Sequence, residues 1–154
     1  MAGKIEEKLA ELGVSLPDAP APAANYVPYV ISGDMVYVSG QISMDETGLI
    51  QGKLGADFSV EQGAAAAKVC AINLLAQLKA ACDGDLDRLV RVVKLGGFVN
   101  STDSFTDQPK VINGCSDFMV DALGDIGRHA RSAVSSPSLP LGVAVEIDGV
   151  FQIK

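Results

Sequence analysis

Tryptophan is absent from the 154-residue chain, and histidine occurs once, at position 129. Aromatic residues amount to 5% of the sequence, too sparse for the row of stacking platforms that single-stranded nucleic acid needs. Cations are also in deficit. Twelve Lys and Arg against nineteen Asp and Glu leave a formal charge of -7, and nucleic-acid affinity rests largely on cations that displace counterions from phosphates. Nucleic acid is therefore disfavoured as a partner. Cysteine is limited to Cys70, Cys82 and Cys115, without CxxC or other close metal spacing. Their odd number suits a reducing compartment, each reads as a small core side chain, and no metal is expected. The start, "MAGKIEEKLAELG", is charged and has no apolar signal region, and no apolar run reads as long enough to cross a bilayer. The expectation is a cytoplasmic protein without a membrane partner. Phosphate-loop signatures are missing too: "GLIQGKLG" matches neither GxxxxGK[ST] nor GxGxxG and reads as an ordinary flexible loop.

What is present suffices for one core, since 48% of residues are hydrophobic. Ile5, Leu9 and Leu12 at helical spacing before Gly13 predict a short amphipathic helix over residues 3 to 12. The prolines of "SLPDAPAPAAN" then forbid regular structure and favour an extended arm. Residues 1–24 are thus read as helix and arm, and residues 25–154 as the domain. "YVPYVISGDMVYVSGQI" predicts a hairpin turning at Ser32-Gly33-Asp34. Ser59 with Gln62 forms a capping-box signature for a helix running to about Cys82, stopped by Asp83-Gly84. "RLVRVVKLGGFV", residues 88 to 99, is apolar on both alternating faces, as in a strand covered on both sides. A second helix over about 105 to 123 carries Val111, Ile112, Cys115, Phe118, Met119 and Ala122 on one face and Asn113 opposite. Two further strands follow. The order β-β-α-β-α-β-β is that of an α/β (α+β) sandwich with two helices on one face of a sheet.

In the last strand, Val143, Val145, Ile147, Phe151 and Ile153 alternate with Glu146, Asp148, Gln152 and Lys154. The carboxylates lie on the face away from the apolar residues, while the strand over 88 to 99 demands that this face be covered. A subunit interface with polar clefts meets both requirements. Arg131 precedes a strand-like run, where a guanidinium fork can bind a carboxylate bidentately. A salt bridge from Arg131 to Glu146 or Asp148 that merely closes the fold fits the spacing equally well. Glu146 can hold or activate water as general base or proton shuttle. Asp148 reads as a solubilising charge and His129 as structural or solvent-facing.

The chain resembles the RidA (YjgF/YER057c/UK114) family. The resemblance is carried by "RSAV", by "VEID" placing Glu146 fifteen positions after Arg131, by Leu139-Pro140 between them, and by "PYV...MVYVSGQI", "RLVRVVKLGGFVNSTDSF" and "VINGCSDFM" upstream. It covers roughly residues 25 to 153. It implies a chorismate-mutase-like fold: a mixed sheet with two helices on one face, assembled as a homotrimer with ligand clefts between subunits. It also implies hydrolysis of reactive 2-enamines and 2-imines to 2-keto acids and ammonia, with no cofactor or metal. By position, Arg131 matches the arginine that pairs with the substrate carboxylate, and Glu146 the glutamate associated with the hydrolytic water. Tyr29, Ser39, Gly40 and Asn113 match cleft-lining positions. Ala133 stands where the family often has cysteine, so a backbone contact to the carboxylate survives but a thiol role does not. His129, the segment "SSPSLPLG" and the N-terminal extension depart from the family pattern. A non-catalytic trimer that binds small carboxylates as a sensor is the alternative from another class. The endoribonuclease or translation-inhibitor activity attached by name to some members ranks lower on charge.

Overall fold

The computed structural model describes residues 3–22 and 24–154. Helix α1, Lys4–Glu11, begins at Gly3, which has no side chain to cap it. Asp87 supplies the cap from elsewhere: its carboxylate accepts from the Lys4 amide at 2.9 Å and the Ile5 amide at 3.1 Å, satisfying two of the donors a helix start leaves open. Those same bonds hold the Asp87 carboxyl below the usual carboxylate range. Leu9 is buried, and Ile5, Val14 and Leu16 pack against the core. The arm is fastened farther along, where the buried Gln77 amide donates to the Pro20 carbonyl at 2.6 Å.

Strands β1, Tyr29–Ser32, and β2, Met35–Ile42, form the expected hairpin, with Gly33 at φ 62°. The glycine-rich stretch that follows is not the flexible loop expected. It contains a second hairpin, β3 Met44–Asp45 and β4 Gly48–Leu49, and then the fully buried Leu54, which exchanges backbone bonds with Asn100 and Thr102. Lys53 Nζ adds a bond to Asn100 Oδ1 at 2.7 Å. Helix α2, Val60–Ala81, opens on the predicted capping box between Ser59 and Gln62. It ends where Asp83 and Gly84 take φ values of 53° and 89°. By length and composition α2 could cross a membrane, contrary to the reading that no run is long enough. It is instead the mostly buried helix at the centre of the core.

Strand β5 is Leu89–Asn100, helix α3 Gln108–Leu123, strand β6 Ala130–Ser136 and strand β7 Val145–Ile153. The sheet order is β1-β2-β7-β5-β6. Only β5 and β6 are parallel, and α3 supplies the crossover that parallel neighbours require. This is the mixed sheet expected. All six residues of the predicted α3 stripe are buried. The two long helices approach so closely that a Cβ at Gly114 would collide with the Ala64 backbone. On the other face of the sheet, Val30, Tyr37, Phe98 and Val134 are between 38% and 52% exposed. A single chain therefore leaves that apolar face open.

Candidate functional site

The β2–β7 register shifts between Val38, opposite Gly149, and Gln41, opposite Ile147. Ser39 and Gly40 occupy the resulting β-bulge, a feature that re-aims neighbouring side chains. The bulge is held on both sides. Ser39 N–H donates to the Pro28 carbonyl at 2.9 Å and Ser39 Oγ to the Val27 carbonyl at 2.8 Å, while the buried Gln41 amide donates to the Ser39 carbonyl at 2.9 Å. Gly40 lies against Glu146: a Cβ there would stand 3.1 Å from Cδ and 3.2 Å from Cγ of the glutamate and closer still to Oε1. Both residues line a cleft of ≈ 520 Å³ whose walls include Pro20, Pro22, Tyr26 and Leu141. Leu141 sits at φ 60°, a conformation costly for a branched side chain, and its carbonyl accepts from Gln51 Nε2 at 2.7 Å.

Burial pushes the Glu146 carboxyl up, and the neighbouring Asp148 charge pushes it further. Asp148 is itself raised by burial, with the Gly96 amide and Lys94 pulling the other way. A carboxyl raised in this way holds a proton more readily than a free glutamate, which suits proton exchange with water. Asp148, which the sequence left as a solubilising charge, helps set that property.

A second group of side chains gathers at the sheet's edge. In the β5–β6 pairing Leu95 is opposite Arg131 and Gly97 opposite Ala133. Leu95 and Gly97 face the helices, so Arg131 and Ala133 do as well. Arg131 Nη1 donates to Ser116 Oγ at 3.0 Å and Nη2 to the Pro109 carbonyl at 3.3 Å. Pro109, Asn113 and Ser116 follow helical spacing along one stripe of α3, so the exposed Asn113 lies between the two anchors of the arginine. Ala133 packs against the core beside them.

The chain brings together Ser39, Gly40 and Glu146 in one place, and Arg131, Asn113 and Ala133 in another. Phe98 is opposite both Glu146 and Val134, on the open face. Arg131 is three residues before Val134 and so points through the opposite face, two strands from Glu146, roughly 10 Å across the sheet alone. Arg131 makes no ion pair with Glu146 or Asp148 among the described residues, which removes the reading of a bridge that closes the fold. Tyr29 belongs to neither group. It lies opposite Val38 on the helix side and lines a separate pocket with Ala80, Arg88 and Ile153. Tyr26, which no sequence signal marks, is the tyrosine in the Glu146 cleft.

No group of three or more metal-ligating side chains occurs among the described residues. The three cysteines are free and buried, and burial pushes the Cys115 thiol up to about 12 and Cys70 well above its usual value. Burial disfavours the thiolate form at these positions.

Comparison with known proteins assigns the architecture to a lineage. TCP17 from Trypanosoma cruzi is 48% identical over 155 residues, covering 99% of this chain and 96% of its own. The crystal structure of a protein of unknown function from Agrobacterium tumefaciens is 48% identical, with a TM-score of 0.90 over 97% of this chain and 94% of the other. A putative endoribonuclease from Shewanella oneidensis is 35% identical, with a TM-score of 0.93 over 98% of this chain and 100% of the other. The family described as "YjgF/chorismate_mutase-like, putative endoribonuclease" matches residues 6–149. Together with the mixed sheet backed by two long helices, these matches show that the chain belongs to the YjgF/chorismate-mutase-like family.

Proposed function

We propose that this protein hydrolyses reactive 2-imino acids, and the 2-enamines that tautomerise to them, to 2-keto acids and ammonia. Its sites are completed between subunits of a homotrimer. Arg131 binds the substrate carboxylate, and Asn113 and the Ala133 backbone border it. Glu146 of another copy, set against Gly40, handles the water. The protonated imine carbon is already electrophilic. Water oxygen bonds to that carbon while one of its protons passes through Glu146 to the nitrogen; the C–N bond then breaks, ammonia leaves, and the hydroxyl proton returns to Glu146 as the carbonyl forms. Positioning and proton handling are all that the protein must supply.

The observation that carries this reading is the separation of two prepared half-sites on opposite faces of one sheet. Each is ordered in itself, neither completes the other within one chain, and the apolar face around Glu146 is open to receive another copy. The decisive experiment is subunit complementation with freshly generated 2-aminoacrylate, following keto-acid release. Arg131→Ala and Glu146→Gln should each be inactive alone. Unfolded and refolded together in equal amounts, they should regain about a quarter of wild-type activity, the share of sites in a random cyclic trimer that join an intact arginine to an intact glutamate. Mixtures that stay inactive, or single variants as active as wild type, refute the proposal.

The sensor alternative predicts saturable binding of 2-ketobutyrate, abolished by Arg131→Ala, with no turnover in any mixture. The acidic chain and its few aromatic residues give RNA cleavage no comparable support.

A further inference from the structure

The only histidine of the chain is linked to the arginine of the proposed carboxylate site. His129 Nδ1 lies 2.6 Å from the Gly127 carbonyl and Nε2 2.8 Å from Ser116 Oγ. A carbonyl oxygen can only accept, so in the neutral ring Nδ1 carries the hydrogen and Nε2 is left as an acceptor. The Ser116 hydroxyl therefore donates to His129 Nε2. That orientation turns its lone pairs toward Arg131, whose Nη1 donates to Ser116 Oγ at 3.0 Å. Every donor in the row from Arg131 through Ser116 and His129 to Gly127 meets an acceptor.

The row has a rigid footing. Gly127 is seated on α3 so tightly that a Cβ would stand 2.7 Å from the Met119 carbonyl carbon and 3.1 Å from Val120 N. The Arg128 carbonyl, next in the chain, accepts from Arg91 Nη2 at 3.0 Å, and the Arg128 side chain turns outward to Asp125 at 3.4 Å. Arg128 therefore does not compete for the position Arg131 takes. An arginine on an edge strand would otherwise sample many rotamers, and holding it before the ligand arrives removes that cost from binding. Ser116 and the Pro109 carbonyl engage two of the five guanidinium donors, which leaves three to meet a carboxylate.

We propose that Ser116 and His129 are positioning residues that fix the Arg131 guanidinium for carboxylate recognition. His129 acts by setting the direction of the Ser116 hydroxyl. The inference rests on Arg131 being the carboxylate clamp, and its test separates the two ideas. Calorimetric binding of 2-ketobutyrate and steady-state kinetics on 2-aminoacrylate are measured on the full chain.

Ser116→Ala and His129→Leu should each weaken binding and raise KM by about tenfold, the scale of one charge-assisted hydrogen bond, with kcat within about twofold of wild type. Ser116→Thr keeps the hydroxyl, and His129→Gln can place Oε1 where Nε2 accepts. Both should recover most of the affinity. If Ser116→Ala and His129→Leu bind as wild type while Arg131→Ala does not, the positioning role is refuted and the clamp stands. If Arg131→Ala itself binds normally, the clamp fails first. A loss shared equally by the Thr and Gln variants, or one that follows a fall in Tm with no change in KM, also overturns the proposal.

Discussion

Replacing Gly40 by alanine separates what the β-bulge does for the fold from what it does for the site. Gly40 has no positive φ to lose, so alanine's backbone preferences are satisfied. Space is the only issue, and the atoms in the way are the end of one flexible side chain. A Cβ there stands 3.1 Å from Glu146 Cδ, 3.2 Å from Cγ and closer still to Oε1, all inside ordinary contact, so the carboxyl group must retreat by roughly an ångström. Because Glu146 lines an open cleft, that retreat costs little stability, no more than about 0.5 to 1 kcal/mol. Misplacement of a reacting group on this scale lowers rate by about ten- to a hundredfold. The expected outcome is a protein with near-normal Tm, normal 2-ketobutyrate affinity at Arg131, and a kcat reduced by that factor. Thermal denaturation, calorimetry and keto-acid release on one preparation test all three. Full activity in Gly40→Ala would refute the argument that the bulge places Glu146. A large fall in Tm would refute the claim that Gly40 is spared for the carboxylate and not for packing.

Two further outcomes follow from the same geometry. Glu146→Gln should abolish turnover yet raise Tm at neutral pH. The folded-state pKa of Glu146 lies above its ordinary value, so its stabilising contribution is complete below the unfolded pKa and is lost as pH rises through the folded one. The Tm gap between variant and wild type should therefore close as pH falls below the glutamate range, and a gap independent of pH would contradict this. Asp87→Ala should cost about 1 kcal/mol by uncapping α1, seen as faster amide hydrogen exchange confined to residues 4 to 11. Asp87 titrates in the opposite sense: its carboxyl is lowered, so the cap contributes above the unfolded pKa and is lost as pH falls through the folded value.

Local chemistry made much of this fold readable. A capping box and a following Asp-Gly bound α2 at both ends, and period-two alternation placed Glu146 and Asp148 on the face opposite Ile147 and Phe151. What alternation does not fix is the orientation of one strand relative to another. The face Arg131 takes depends on its register with Leu95 in a parallel pairing across a helix, which nothing in "RSAV" determines. The bulge at Ser39-Gly40 depends likewise on a mismatch with β7, invisible within β2 alone. Tyr29 and Tyr26 show the same limit, because the bends at Tyr26 and Pro28 place the two tyrosines in different pockets although only three positions separate them. His129 looked isolated because its partner lies thirteen residues away on α3. The short β3–β4 hairpin was hidden by glycines that also suit an irregular loop.

The fastenings at the two ends of the N-terminal segment make it a tether of fixed length. One end is clipped by Asp87 at the start of α1, the other by Gln77 at Pro20, and Pro17 stiffens the chain between helix and Pro20. Pro20 and Pro22 also form part of the wall facing Glu146. The dimensions of that chamber are thus gauged in part from α1, which is itself tied to α2 near Gln77 by the Lys79–Glu6 ion pair at 2.6 Å. A lengthened or shortened arm in a relative would resize the chamber without altering a single residue of the sheet.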